Sequence, residues 1–381
     1  MKRVRTAVVG TGFMGRVHLE ALRRVENVDV AAIAGRTAES AQQLGAPFAV
    51  PAAAFDAVLR DPQIDALHIC TPNSLHFQMV KEALLAGKHV LCEKPIAISV
   101  DEAKELVDLA KQKKLRNCVC QNLRYYPLVQ QMRAMVAGGD LGDILVVQGT
   151  YSQDWLLYDS DWNWRVDSKT SGPLRAMADI GSHWFDAVEH ITGLRVSSLC
   201  ADLKTFHKKR KRPLHAPKTF ANKLLTVESF VEESVDTEDF GSVIFQMGKR
   251  IRGAMTASQV AAGRKNCFSL EIYGTKSSVA WNGERPNELW IGHRDRPNEI
   301  VIKDPALLKP EARPFADEPG GHAEGYADTF KQLFRRFYAA IADPKAPTDY
   351  PQFTDGLRQM KVLEAEWESN KTRTWIDVPT K

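Results

Sequence analysis

Asp179, His183 and Asp186 stand four and then three residues apart in the run Ser171–Asp186. On a helix that spacing places all three on one face. A carboxylate one turn below an imidazole fixes the ring's orientation and tautomer, which a proton-transferring histidine needs. Ile180, Trp184, Ala187 and Val188 supply the apolar positions that predict the helix, opening at Gly172-Pro173 and running to Thr192-Gly193. Gly181 sits inside it at a cost of about 1 kcal/mol relative to alanine, which predicts a close approach there. Taken alone, an amphipathic helix with a polar edge accounts for the pattern at least as well.

A second chemical group is Glu93-Lys94-Pro95, directly after the strand-like run His89–Cys92. A lysine at the carboxyl end of a parallel strand points into the crevice where doubly wound sheets bind ligands. There it can hydrogen-bond a substrate hydroxyl and favour its alkoxide. Pro95 restricts Lys94 to extended backbone and makes the bond between them a candidate for the cis form.

These groups need a scaffold, and the first third of the chain supplies a familiar one. The apolar run Val4–Val9 leads straight into Gly10-Thr11-Gly12-Phe13-Met14-Gly15, followed by a helical pattern. Strand, G-x-G-x-x-G and helix form the dinucleotide-binding context: tight turn at the first glycine, backbone approach to pyrophosphate at the second, helix–strand packing at the third. The next strand, Val28–Ala34, ends at Gly35-Arg36 without the acidic residue that selects NAD. Arg36 leaves room and charge for a 2′-phosphate, so NADP is favoured over NAD, although an arginine there also suits a solvated surface or adenine stacking.

The alternation continues through Ile64–Cys70 and His89–Cys92 to Asn117–Cys120, an α/β pattern that predicts a doubly wound parallel sheet. Thr71-Pro72-Asn73 stops the third strand, and His76 follows in the first turn of the next helix; cofactor contact and capping compete for it equally. Ser99 and Glu102 fit a capping box for the helix over Asp101–Lys114. The closing strand leads to Asn122, Arg124, Tyr126 and Pro127.

From Ile144 the pattern changes. Tyr151–Arg165 is rich in aromatic residues: Trp155, Trp162 and Trp164 suit stacking on a sugar face, while Gln153, Asn163 and Arg165 suit its hydroxyls. Filling a domain junction is as good a use for any one of these tryptophans. His207–Pro213 is sharply basic, and a solvated loop or subunit contact fits it better than nucleic acid; the acidic stretch Glu228–Asp239 is its expected partner. Runs between Phe240 and Ile291 predict an antiparallel meander. A Pro- and Gly-rich loop over Arg313–Gly321 then delivers His322, Glu324 and Tyr326 to the helix Ala327–Ala342, before a last helix over Phe353–Ser369. For His322, substrate contact and helix capping stand level.

With 381 residues, 44% hydrophobic, the chain has the length of two domains, expected over 1–123 and 124–381, with the C-terminal segment free to pack back on the first. Its 51 basic and 47 acidic side chains give a net charge of +4, which argues against nucleic acid or membrane as partner. The basic-then-apolar start, MKRVRTAVVG, is too short in its apolar part for a signal peptide, and six cysteines without metal-ligand spacing predict free buried thiols and a cytoplasmic setting.

Several motifs in order resemble the Gfo/Idh/MocA (glucose–fructose oxidoreductase / inositol dehydrogenase) family: Gly10–Gly15, Thr71-Pro72-Asn73 with His76, Glu93-Lys94-Pro95, Asn122 with Arg124 and Pro127, and Gly172–Asp186 with its D-x-G-x-H-x-x-D. Tyr151–Arg165 and Gly321–Tyr326 are similar to the branch acting on sugars and anhydrosugars, which includes levoglucosan dehydrogenase. The resemblance implies a Rossmann domain and a C-terminal α/β domain whose open, mostly antiparallel sheet mediates a homodimer or homotetramer. It implies NAD(P)-dependent hydride transfer at a hydroxyl or keto carbon of a sugar, anhydrosugar or cyclitol. Lys94, Asp179 and His183 then match the catalytic residues; Gly10, Gly12, Phe13, Met14, Gly15, Arg36, Thr71, Pro72, Asn73, His76, Glu93, Lys94 and Asn122 fall at the cofactor. Arg124, Tyr126, Gln153, Trp155, Trp162, Asn163, Trp164, Arg165, His322 and Tyr326 are the expected substrate contacts, and no metal is called for. Competing readings are a dinucleotide-sensing regulator, a glycosidase using NAD transiently, and a metal site of Asp179, His183, Asp186 and His190.

Overall fold

The computed structural model describes residues 3–214 and 229–379, so Met1, Lys2 and Glu228 lie outside the described residues. The chain divides into two compact units, Met1–Asn122 with Ala327–Met360 and Leu123–Tyr326 with Lys361–Lys381.

The first unit opens with β1 (Val4–Val9), α1 (Phe13–Leu22), β2 (Val28–Ala34), α2 (Ala38–Gly45), α3 (Phe55–Arg60) and β3 (Ala66–Ile69). It continues with α4 (His76–Leu85), β4 (His89–Cys92), α5 (Val100–Lys113) and β5 (Asn117–Val119). The five strands pair in parallel in the order β2-β1-β3-β4-β5. The central strand β3 is buried on both faces, and β1 is so except at Arg5, as their apolar runs require. The chain reverses direction across the sheet between β1 and β3, and the crevice at their carboxyl ends is where such sheets take ligands. Ser99 caps α5 by accepting the Glu102 N–H (3.2 Å), as its spacing predicts.

The second unit begins with α6 (Pro127–Ala137), β6 (Ile144–Ser152), α7 (Ser168–Ser171) and α8 (Ser182–Thr192). The strands β7 (Val196–Lys204), β8 (Lys209–Pro213), β9 (Phe230–Ser234), β10 (Phe240–Met247), β11 (Ile251–Ser258), β12 (Cys267–Gly274), β13 (Ser278–Asn282), β14 (Glu288–Gly292) and β15 (Glu299–Ile302) follow. The chain closes with α9 (Tyr326–Ala342), α10 (Phe353–Thr372) and β16 (Ile376–Asp377). A nine-stranded sheet runs β15-β14-β13-β12-β6-β11-β10-β7-β16. It is antiparallel except where β6 lies parallel to β11, so the expected meander is interrupted by β6 inserted at its centre. Trp184 of α8 packs edge-on to Phe185 and Phe245 and donates its indole N–H to the Ser269 carbonyl at 2.9 Å. A Cβ on Gly149 of β6 would lie 2.8 Å from that indole nitrogen, so the glycine is what admits the tryptophan.

Two expectations are corrected here. The basic run is not a solvated loop: β8 pairs with β9, Lys209 and Arg212 bond Glu232 and Glu233, and Arg210 is fully buried. Arg210 ties down the Leu156, Tyr158 and Asp161 carbonyls and pairs with Asp239. The helix carrying Asp179 does not open at Gly172-Pro173 either. It begins as a π-helical turn, Met177–Gly181, and becomes regular only at Ser182. Such turns are rare and cluster at functional sites. No helix among the described residues is long and apolar enough to cross a membrane.

Candidate functional site

In the glycine loop, Gly10 has φ +117°, and a Cβ there would lie 2.5 Å from the Cys70 carbonyl oxygen at the end of β3. A Cβ on Gly15 would lie 1.9 Å from the Gly10 carbonyl oxygen. These two glycines are therefore demanded by the protein itself. Gly12 is different: a Cβ there would meet nothing within 4 Å. An open site at the amino end of α1, in a loop otherwise built on steric necessity, fits a group that approaches from outside, as a dinucleotide pyrophosphate does. The buried Thr71 hydroxyl, beside this loop, has no hydrogen-bond partner within the protein. Arg36 is exposed beyond β2, and Asp29, the acid within that strand, is paired to Arg3.

Lys94 is half-buried after β4, and its bond to Pro95 is cis. Glu93 beside it accepts from His18 Nε2 at 2.8 Å and, through its other oxygen, from the Lys94 N–H at 3.2 Å. Burial alone would raise this carboxyl, but the His18 hydrogen bond and charge, with Lys94, outweigh it and hold it at about 2. His76 is completely buried, its ring nitrogens lying 2.6 Å from the Pro95 carbonyl and 2.8 Å from the Thr71 carbonyl. It therefore braces the two ligand loops against each other, and burial lowers its basicity. Asn122 is also buried and donates to Thr329 Oγ1 at 2.7 Å.

Asp179 lies in the π turn, held by side chains from two distant stretches. Arg165 Nε donates to one oxygen at 3.0 Å, and Gln259 Nε2 to the other at 2.9 Å. The Arg165 guanidinium also sits 4.4 Å from the Trp164 ring centre, and Asn163 accepts its backbone N–H at 3.2 Å. Glu238 caps the turn by accepting the Arg175 and Met177 N–H groups at 2.9 and 2.8 Å. Burial raises Glu238 to about 7. His183 is nearly buried at the start of α8. The close approach at Gly181 is internal, since a Cβ there would meet the Met177 side chain at 2.9 Å.

Most of the other expected contacts have partners within the protein. Arg124 forms a buried two-pronged ion pair with Asp186 at 2.6 and 2.5 Å, so both residues brace the helix. Tyr126 packs against Trp281 at 4.9 Å between ring centres. Gln153 bonds Trp155 and Asn266, and Trp155 and Trp162 pack on the small cluster Leu156, Val166 and Val235. His322, on the loop entering α9, and Tyr326, the first residue of that helix, stand exposed; the loop's anchor is the buried Glu324–Lys303 pair at 3.0 Å. His190 accepts from Gln130 at 3.1 Å and burial keeps it neutral, while Asp186 is bound by Arg124; among the described residues, Asp179, His183, Asp186 and His190 do not converge as a metal site would.

Sequence reasoning missed Gln259, Arg175, Glu238, His18 and His68. His68 had a signal: a histidine inside the apolar strand IDALHIC requires a buried partner. The others lie in runs that read as ordinary strand, helix or loop.

The sequence model of an oxidoreductase family with an NAD-binding Rossmann fold matches residues 4–121, and that of the GFO/IDH/MocA C-terminal domain matches 129–280. Levoglucosan dehydrogenase of Pseudarthrobacter phenanthrenivorans is 29% identical over 396 aligned positions, covering 100% of this chain and 99% of its own. A levoglucosan dehydrogenase structure in complex with NADH and L-sorbose superposes with a TM-score of 0.89 at 28% identity, covering 100% of both chains. The complex with NADH and levoglucosan gives 0.88 at 28% identity, covering 99% of this chain and 100% of that one. With its glycine loop, its paired sheets and both halves matched, the chain belongs to the Gfo/Idh/MocA family as an NAD-binding oxidoreductase.

Proposed function

We propose that this enzyme interconverts a hydroxyl and a keto carbon on a sugar, anhydrosugar or cyclitol. The observation that carries the reading is the group around Asp179: an aromatic face at Trp164 beside planar donors fixed at Arg165 and Gln259. A pyranose offers apolar C–H faces and polar edges, and this pairing suits both. The Gly10–Gly15 loop, Arg36 and Thr71–Asn73 hold the nicotinamide dinucleotide, which when bound supplies the hydride acceptor or donor. His183 takes the hydroxyl proton, Lys94 stabilises the developing alkoxide, and Asp179 orients the reacting groups. Arg124 and Asp186 position the helix, and Glu93, His76 and Asn122 position the ligand loops.

NADP is the preferred dinucleotide on this reading, because Arg36 stands where an NAD-selective carboxylate would. The levoglucosan dehydrogenase complexes contain NADH, so the two cofactors need separate assays. A panel of sugars, anhydrosugars and cyclitols, run with each dinucleotide and followed at the reduced-nicotinamide absorbance, tests the reading. Substrate-dependent absorbance change supports it, while product formation without such change indicates transient oxidation in a glycosidase. The open face of the nine-stranded sheet, carrying exposed Val146 and Ile244, is the proposed contact of a homodimer or homotetramer, checked by light scattering.

A further inference from the structure

Four titratable side chains in the first unit form an unbroken chain that the reaction as described does not use. Tyr338 Oη lies 2.8 Å from His68 Nε2, His68 Nδ1 lies 2.8 Å from His18 Nδ1, and His18 Nε2 lies 2.8 Å from Glu93 Oε1. Both histidines are completely buried, Tyr338 is 3% and Glu93 6% exposed. Phe334 lies 4.9 and 4.7 Å from the two imidazoles, and Phe330 lies 5.7 Å from His18, so water is replaced by aromatic rings along the path.

We propose that Tyr338, His68, His18 and Glu93 are a proton relay joining a surface cavity to the carboxylate next to Lys94. The proposal rests on the reading that Lys94 serves the reacting hydroxyl. Two imidazoles facing each other through Nδ1 must be one donor and one acceptor, so their tautomers are coupled. In the resting arrangement Tyr338 donates to His68 Nε2, His68 Nδ1–H donates to His18 Nδ1, and His18 Nε2–H donates to Glu93. A proton arriving from the cavity replaces the Tyr338 proton as that proton moves to His68 Nε2. His68 simultaneously passes its Nδ1 proton to His18. One N–H or O–H bond breaks for each that forms, and the net result is a His18 imidazolium facing the Glu93 carboxylate. In a second step His18 passes its Nε2 proton to Glu93, which releases it; both imidazoles are left in the opposite tautomers, and from that state the same steps run backwards carry one proton from Glu93 to the cavity. Chains of this kind polarise one another in a low-dielectric interior.

Three further observations fit conduction. Glu93, held at about 2, carries the proton only in passing. Burial, with the neighbouring His18, holds His68 well below the ordinary histidine range, so it passes charge on. Burial, with the nearby Glu93 charge, keeps the thiols of Cys70, Cys92 and Cys120 protonated, so they do not drain the chain. At its far end Tyr338 lines a cavity of about 210 Å³ with Val4, Val25, Glu26, Asn27 and Arg335. Val4 begins β1 whereas Glu93 follows the end of β4, so the relay crosses from one end of the sheet to the other. Glu93 follows β4 at the end of the sheet where such sheets take ligands, so the path carries protons between that end and the opposite one while ligands are bound.

Tyr338→Phe keeps the ring and removes the hydroxyl. Assayed in weakly buffering medium with the best sugar of the panel, it is expected to lower kcat by at least about fivefold. Tens of millimolar imidazole are expected to restore it, without a change in KM, whereas wild-type kcat ignores imidazole. An unchanged kcat, or a loss that imidazole does not relieve, overturns the relay. Independently of turnover, 15N-histidine spectra of the full chain are expected to show His18 as the Nε2–H and His68 as the Nδ1–H tautomer; any other pair overturns the proposal. Turnover retained by Lys94→Met would instead overturn the reading on which the relay rests, whatever Tyr338→Phe does.

Discussion

The first unit shapes its ligand loops with backbone, and the second holds its functional group with side chains. Gly10 and Gly15 exist because carbonyl oxygens occupy the space a Cβ would need. Asp179 instead depends on Arg165, Gln259, Glu238 and Arg175, drawn from three separate stretches of the chain. A backbone cradle tolerates no added atom but asks little of charge. A side-chain network tolerates small changes of shape, but removing one partner leaves its neighbour buried and uncompensated.

That contrast is sharpest where each unit is broken in turn. Lys94→Met is expected to lower turnover by about a thousandfold or more, with dinucleotide affinity nearly unchanged by fluorescence titration. Substantial remaining activity would remove Lys94 from the chemistry. Arg124→Ala strands the Asp186 charge in the second unit, and chemical denaturation should register a loss of about 3–5 kcal/mol. A loss below about 1 kcal/mol, the range of surface pairs, would show that the pair is not buried in solution.

Glu238 sharpens the comparison through pH. Its carboxyl is raised to about 7 by burial, so between about pH 4.5 and 7 the folded chain binds more protons than the unfolded one. Stability therefore falls as pH rises through that window, by roughly 1–3 kcal/mol from this group. Glu366, also buried and raised by burial and by Glu238, adds to the same trend. Thermal melts from pH 5 to 8 should show a shallower decline for Glu238→Gln, and an identical decline would refute the assignment. The smallest effect belongs to Gly12→Ala. It should weaken dinucleotide binding by about tenfold while leaving the melting temperature of the free protein unchanged, because nothing in the protein opposes a methyl there. Gly15→Ala, by contrast, should lower the melting temperature with or without dinucleotide.

The same division explains what could be read from residues alone. The strand–glycine–helix motif, Lys94 after β4 and the Ser99 cap are local, and local rules place them within a residue or two of the structure. The π turn was not legible, because Ile180, Trp184, Ala187 and Val188 satisfy helical spacing whether the first turn is α or π. The pairing of Arg124 with Asp186 was not legible either, because the partner is distant in sequence. The basic run looked solvated because nothing local shows that Arg210 enters the interior while Lys209 and Arg212 meet acids on β9. Pairings across such distances are decided by packing, and sequence spacing carries no trace of them.

The nucleotide unit is discontinuous: residues 123–326 separate its first part from Ala327–Met360. Translation makes the five parallel strands first, yet Phe330, Phe334 and Tyr338, which enclose His18 and His68, emerge only after the whole intervening segment. Until then neither the two phenylalanines nor Tyr338 is there to cover the histidine pair. The last stretch to be translated for this unit is therefore the one that dries it, so a chain stalled before α9 presents an open seam to chaperones and proteases.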